Sequence, residues 1–162
     1  MRRALVLALV MLVLSTAVVS AAVVWRNATT NSSAEHILRD LMIKEHARVC
    51  SNNLSSDSRL VWMARFRSTD MILRGYFSHT TPDGRKWWSF IQKANIKYAS
   101  AGENIVWNTY PDDLSAAAAY NQFMGSSGHR ALIRSCTYTR IGVGDYKVGD
   151  KRMFTVLFIK PA

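Results

Sequence analysis

The hydrophobic and polar positions of this chain change period several times, and each change marks an element. An unbroken apolar run occupies Ala4 to Trp25, behind Arg2 and Arg3. Residues 26–33 (Arg-Asn-Ala-Thr-Thr-Asn-Ser-Ser) are small, polar and aperiodic, and read as a linker. Between Ala34 and Cys50, the positions Leu38, Leu41, Met42, Glu45 and Val49 share one helical face. Asn52 to Ser58 breaks the pattern. Leu60, Val61, Ala64, Ser68, Met71 and Ile72 restore helical spacing, and Gly75 follows as a stop. Tyr76 to Arg85 is irregular around the turn Pro82-Asp83-Gly84, and a short helix is predicted over Trp87 to Asn95.

In the second half, Glu103 to Trp107 alternates as a strand does. Pro111 opens a helix that continues through the alanines 116–119 to about Met124, and Gly125 to Gly128 ends it. Arg130 to Arg134 adds a helical turn. Two strands, Arg140 to Tyr146 and Arg152 to Ile159, flank a turn at Val148-Gly149-Asp150. Helices lead, strands finish, and one helix separates the first strand from the last hairpin. That order predicts an α+β fold with a small antiparallel sheet covered by helices.

With 162 residues, 49% of them hydrophobic, the chain holds one domain with a proper core. The opening arginines and apolar run read as an export signal. Val19-Ser20-Ala21 offers a cleavage site, yet a run of about 22 residues is also long enough to cross a bilayer. Residues 1–25 are therefore a signal peptide or a signal anchor, 26–33 a linker and 34–162 the domain, with the domain outside the membrane under either reading. Outside is oxidising, and Cys50 and Cys136 are the only cysteines, so one disulfide is expected. Closing a loop of that length stabilises a fold by about 4 kcal/mol on the chain-entropy model.

Net charge is +10, from 21 Lys and Arg against 11 Asp and Glu, which favours anionic partners such as acidic lipid head groups or wall polymers. No nucleic-acid-binding motif gathers that charge, so no nucleic-acid partner is expected. A solvated basic surface accounts for the excess most simply.

Three segments place titratable side chains among glycines, serines and aromatics. They are Gly-Tyr-Phe-Ser-His-Thr-Thr-Pro-Asp-Gly at 75–84, Ala-Gly-Glu-Asn-Ile-Val-Trp at 101–107, and Phe-Met-Gly-Ser-Ser-Gly-His-Arg at 123–130. An Ile-Gly-Val-Gly strand at 141–144 follows. In order and spacing these resemble the bacterial branch of the CAP (SCP-like extracellular) family, over about residues 37 to 159. The resemblance implies an α-β-α sandwich and a central cleft lined by His79, Glu103 and His129, with Asn104, Ser126 and Glu45 in support. It also strengthens the pairing of Cys50 with Cys136.

Two imidazoles and a carboxylate facing one space suit a divalent ion such as zinc, weakly bound. Without metal they form a hydrogen-bonded set that titrates near neutral pH. The chain departs from the family pattern where eukaryotic members carry a second glutamate, having Phe123-Met124-Gly125-Ser126 there instead. That loss lowers metal affinity. Gly125-Ser126-Ser127-Gly128 beside His129 lacks the strand-to-helix setting of a nucleophile elbow, and no catalytic residue is assigned. His36 and His46 are expected on the surface of the first helix. The favoured reading is a binding module for an anionic envelope component or a small apolar ligand. The alternative is a metal-assisted hydrolase of an envelope substrate using the same cleft.

Overall fold

The computed structural model describes residues 28–162. The apolar run at 4–25, and with it the choice between signal peptide and anchor, lies outside the described residues. Among the described residues, no helix is long and apolar enough to cross a membrane. The elements run β1 (Ala28–Thr29), α1 (Ser32–Ala47), β2 (Ser55–Ser56), α2 (Ser58–Leu73), α3 (Trp88–Lys93), β3 (Tyr98–Asn108), α4 (Asp112–Gly125), α5 (Ser127–Ile133), β4 (Arg140–Val148) and β5 (Lys151–Pro161).

β5 is the centre of the sheet. It pairs antiparallel with β4, from Arg140↔Ile159 to Val148↔Lys151, and on its other side with β3, where Glu103 faces Leu157 and Asn104 faces Val156. The short strands lie on the outer edge of β4, β1 antiparallel against Lys147 and Val148 and β2 parallel against Arg140 and Ile141. Between them the outward amide of Asp145 donates to Glu35 Oε1 at 3.0 Å.

Successive β5 side chains alternate between two cores, as the period of a strand requires. Phe154, Val156 and Phe158 pack with Leu38, Met42, Ala116, Ala119, Phe123 and Ile133, which come from α1, α4 and α5. Leu157 and Ile159 pack against Leu60, Met63, Ala64, Phe90 and Ile91 of α2 and α3. The result is the expected α-β-α sandwich around a largely antiparallel sheet.

Contact between α2 and β4 is unusually close, and two glycines permit it. A Cβ at Gly144 would sit 2.1 Å from the Arg65 amide nitrogen, and one at Gly142 would sit 2.3 Å from the Leu60 carbonyl carbon. Ser68 uses the closeness to donate its hydroxyl to the Gly144 carbonyl at 3.0 Å. The Ile-Gly-Val-Gly pattern is thus a seat for a helix.

Several expectations need correction. Residues 28–31, read as linker, form β1 and the cap of α1. Asn31 donates its amide to Asp145 at 2.8 Å and accepts from Ala34 through its side chain at 3.1 Å. A two-residue strand has no period to detect. β3 extends five residues earlier than its alternation suggested, because Ala99-Ser100-Ala101-Gly102 offers only small side chains there. His46 is buried between α1 and α5, with Nδ1 3.1 Å from the Ile133 carbonyl oxygen. Val49 is exposed. Cys50 and Cys136 are joined, tying the end of α1 to the segment before β4.

Candidate functional site

The site forms where β3, α2 and the loop between α2 and α3 meet. Glu103 projects from β3 on the α2 side, the side its partner Leu157 also faces. It meets Arg67, which occupies an inward position of α2 among Leu60, Ala64 and Met71. Arg67 Nε donates to Glu103 Oε2 at 2.9 Å. The two side chains are 1% and 0% exposed, so the pair is sealed from water. Burial alone would depress the guanidinium, but its hydrogen bond and charge interaction with Glu103 outweigh that and raise its pKa.

Arg67 also holds the loop that carries His79. Its Nη1 donates to the Tyr76 hydroxyl at 2.7 Å and its Nη2 to the Ser78 carbonyl at 2.9 Å. The Tyr76 hydroxyl in turn donates to Asp70. Burial first, and then the bond to Asp70, push the Tyr76 phenol up to about 12, so it stays protonated as a donor. Further along the loop, the Trp87 amide donates to the His79 carbonyl at 3.0 Å. Held this way, His79 brings Nδ1 to 2.8 Å from Glu103 Oε1, while 49% of its side chain stays exposed. Because a carboxylate only accepts, Nδ1 carries the hydrogen, and Nε2 is the ring's acceptor when the imidazole is neutral.

His129 reaches the region from the first turn of α5. Ser126 caps that helix, accepting from the His129 amide at 3.5 Å, and Asn104 of β3 donates to the His129 carbonyl at 3.0 Å. The ring stands edge-on to Phe123, with centroids 5.3 Å apart. Burial, and then the nearby charge of His79, hold the His129 imidazole below its ordinary 6.5. Ser126 and Asn104 therefore hold the backbone of His129. Glu45 does not reach this group; it accepts from Arg134 at 2.7 Å and Tyr120 at 3.3 Å, a separate tie of α1 to α4 and α5.

Among the described residues, no three His, Cys, Asp or Glu side chains form a group that could hold a metal ion. The donor set expected of His79, Glu103 and His129 is not assembled in this geometry. Glu103 is instead bonded by the Arg67 guanidinium and by His79. Arg67 escaped sequence reasoning, although a signal was present: it is a charged residue inside an apolar helical stripe, where burial requires a partner.

The helix–sheet–helix sandwich is one that solved SCP-domain structures share. The chain belongs to the cysteine-rich secretory protein family (CAP), whose sequence profile matches residues 25–158. An uncharacterized membrane protein of Bacillus subtilis (strain 168), YlbC, is 28% identical over 137 residues, which is 84% of this chain and 36% of that protein. YkwD of the same organism is 34% identical over 98 residues, 60% of this chain and 36% of that protein. The chain thus spans little more than a third of the length of these curated relatives. Among solved structures, an extracellular protein of Bacillus anthracis containing an SCP domain superposes with a TM-score of 0.68 at 27% identity, covering 79% of this chain and 40% of that one. An outer surface protein of Borrelia burgdorferi shares the fold, with a TM-score of 0.73 at 16% identity, covering 83% of this chain and 99% of that one.

Proposed function

We propose that this chain is an exported binding module of the cell envelope, recognising an anionic envelope component or a small apolar ligand at the cleft of His79, Glu103 and His129. The observation that carries this reading is the commitment of Glu103. Both its oxygens are engaged: Arg67 donates to Oε2 at 2.9 Å and to Oε1 at 3.4 Å, and His79 meets Oε1 at 2.8 Å, within a buried pair. A carboxylate held this way orients an imidazole and is a poor base or metal ligand. What remains open to a ligand is the outer edge of His79, with His129 nearby. Protonated His79 donates from Nε2 to an anion; neutral, it accepts from a hydroxyl or amide. Export is supported by the opening signal-like run and by extracellular relatives in the same family.

Metal-assisted hydrolysis at the same cleft is the rival, and one titration separates the two. Zinc added to the exported protein in a calorimeter is expected to give no stoichiometric heat. Retention on anionic envelope polymer is expected to fall as salt rises and to weaken in His79→Ala. Stoichiometric zinc binding that disappears in His79→Ala and His129→Ala would overturn the proposal.

A further inference from the structure

A groove lies between α2 and α3, and none of its lining residues is His79, Glu103 or His129. Trp62, Met63 and Phe66 of α2 and Phe90, Lys93 and Ala94 of the α3 region line a groove of about 410 Å³ with Arg85. Its floor is a row of aromatic rings. Trp62 and Phe66 stack at 6.2 Å with 23° between planes, and Phe66 meets Phe90 at 5.5 Å. Phe90 lies buried at its base, with the Arg67 and Arg85 guanidinium carbons 5.5 and 5.1 Å from its ring centroid. Trp62 is 63% exposed, a large apolar area to leave in water without use.

Two cations edge the groove, Lys93, which is exposed, and Arg85, which also pairs with Asp83 at 2.7 Å. A closed apolar cavity would suit an acyl chain. An open groove that exposes the Trp62 and Phe66 rings beside Lys93 and Arg85 suits flat, weakly apolar rings that carry negative groups. Sugar rings have that chemistry, because their C–H faces pack on the electron-rich faces of indole and benzene while phosphate, sulfate or carboxylate substituents meet Lys and Arg.

We infer that the groove formed by Trp62, Phe66, Phe90, Arg85 and Lys93 binds an anionic polysaccharide or sugar-phosphate polymer. The assignment adds a site to the histidine cleft and does not depend on it. Trp107, exposed at the far end of β3 with Lys151 4.6 Å from its ring centroid, supplies an internal control: an exposed tryptophan and lysine outside the groove.

The test is calorimetric titration of the intact exported protein with dextran sulfate, beside uncharged dextran and phosphatidylglycerol vesicles. Dextran sulfate is expected to bind, and uncharged dextran to bind at least tenfold more weakly. Trp62→Ala and Lys93→Glu should each weaken dextran sulfate binding about tenfold. Trp107→Ala, which removes an exposed tryptophan outside the groove, should leave it within twofold. Equal losses in Trp62→Ala and Trp107→Ala, or none in either, would mean that diffuse charge alone attracts the polymer, and the inference falls. It falls equally if vesicles displace dextran sulfate and bind through Trp62, since the groove would then serve a lipid surface.

Discussion

Replacing Arg67 by Met tests the centre of the site. The substitution keeps much of the buried stem and removes the guanidinium. Glu103 then keeps only His79, and its carboxylate stays buried beside a lost partner. Removing one member of a buried ion pair costs about 3–5 kcal/mol, most of it from the stranded charge. Loss of the donors to Tyr76 and Ser78 also frees the loop that presents His79. With a urea dependence of about 2 kcal/mol per molar, the unfolding midpoint should fall by about 2 M. Urea melts followed by circular dichroism, with the disulfide intact, would measure this. The charge-free double variant Arg67→Met with Glu103→Leu should recover most of the loss, because no uncompensated charge remains inside. A single variant costing less than about 1 kcal/mol, or a double variant no better than the single, would refute the view that the pair is sealed and interdependent.

Two further outcomes follow from the packing and from His129. Gly144→Ala drives a methyl into the α2 backbone and should destabilise the fold by about 1–3 kcal/mol, read as a lower Tm; an unchanged Tm would mean that α2 can lift without cost. His129 is held below 6.5 in the fold, so the unfolded chain takes up a proton that the folded one refuses. Stability should therefore decline as pH falls through 6.5 and level off below the lowered folded value. His129→Gln should flatten that decline in urea midpoints measured across the range, and a steeper one would contradict the assignment.

The sequence carried the sandwich because its large elements have clear periods. Leu38 and Met42, Leu60 and Ala64, and the alternation through β5 each point a face at the core. It was silent where an element is too short to have a period, as in β1 and β2, or where a polar side chain turns inward. His46 looks like a surface residue on α1, yet α5 places the Ile133 carbonyl where its ring can bond. The site was legible only in part. His79 and Glu103 are 24 residues apart, and their meeting came from motif resemblance, since nothing in local spacing brings a loop to a strand. Arg67 lies on neither motif. Its position in the stripe of α2 predicts burial and a partner, and only the fold says that the partner is Glu103.

The outer margin of β4 has a bearing on how copies of this domain meet. Its ends are occupied by two-residue strands, and midway the Asp145 amide is already spent on a carboxylate from α1. An extended segment from a neighbouring molecule arriving there finds no continuous row of open backbone donors on which to template. Fibril growth or strand exchange along that margin would first have to dislodge Glu35, which its bond from Arg65 at 2.7 Å opposes. At high local concentration, that single plug favours separate domains over runaway polymerisation.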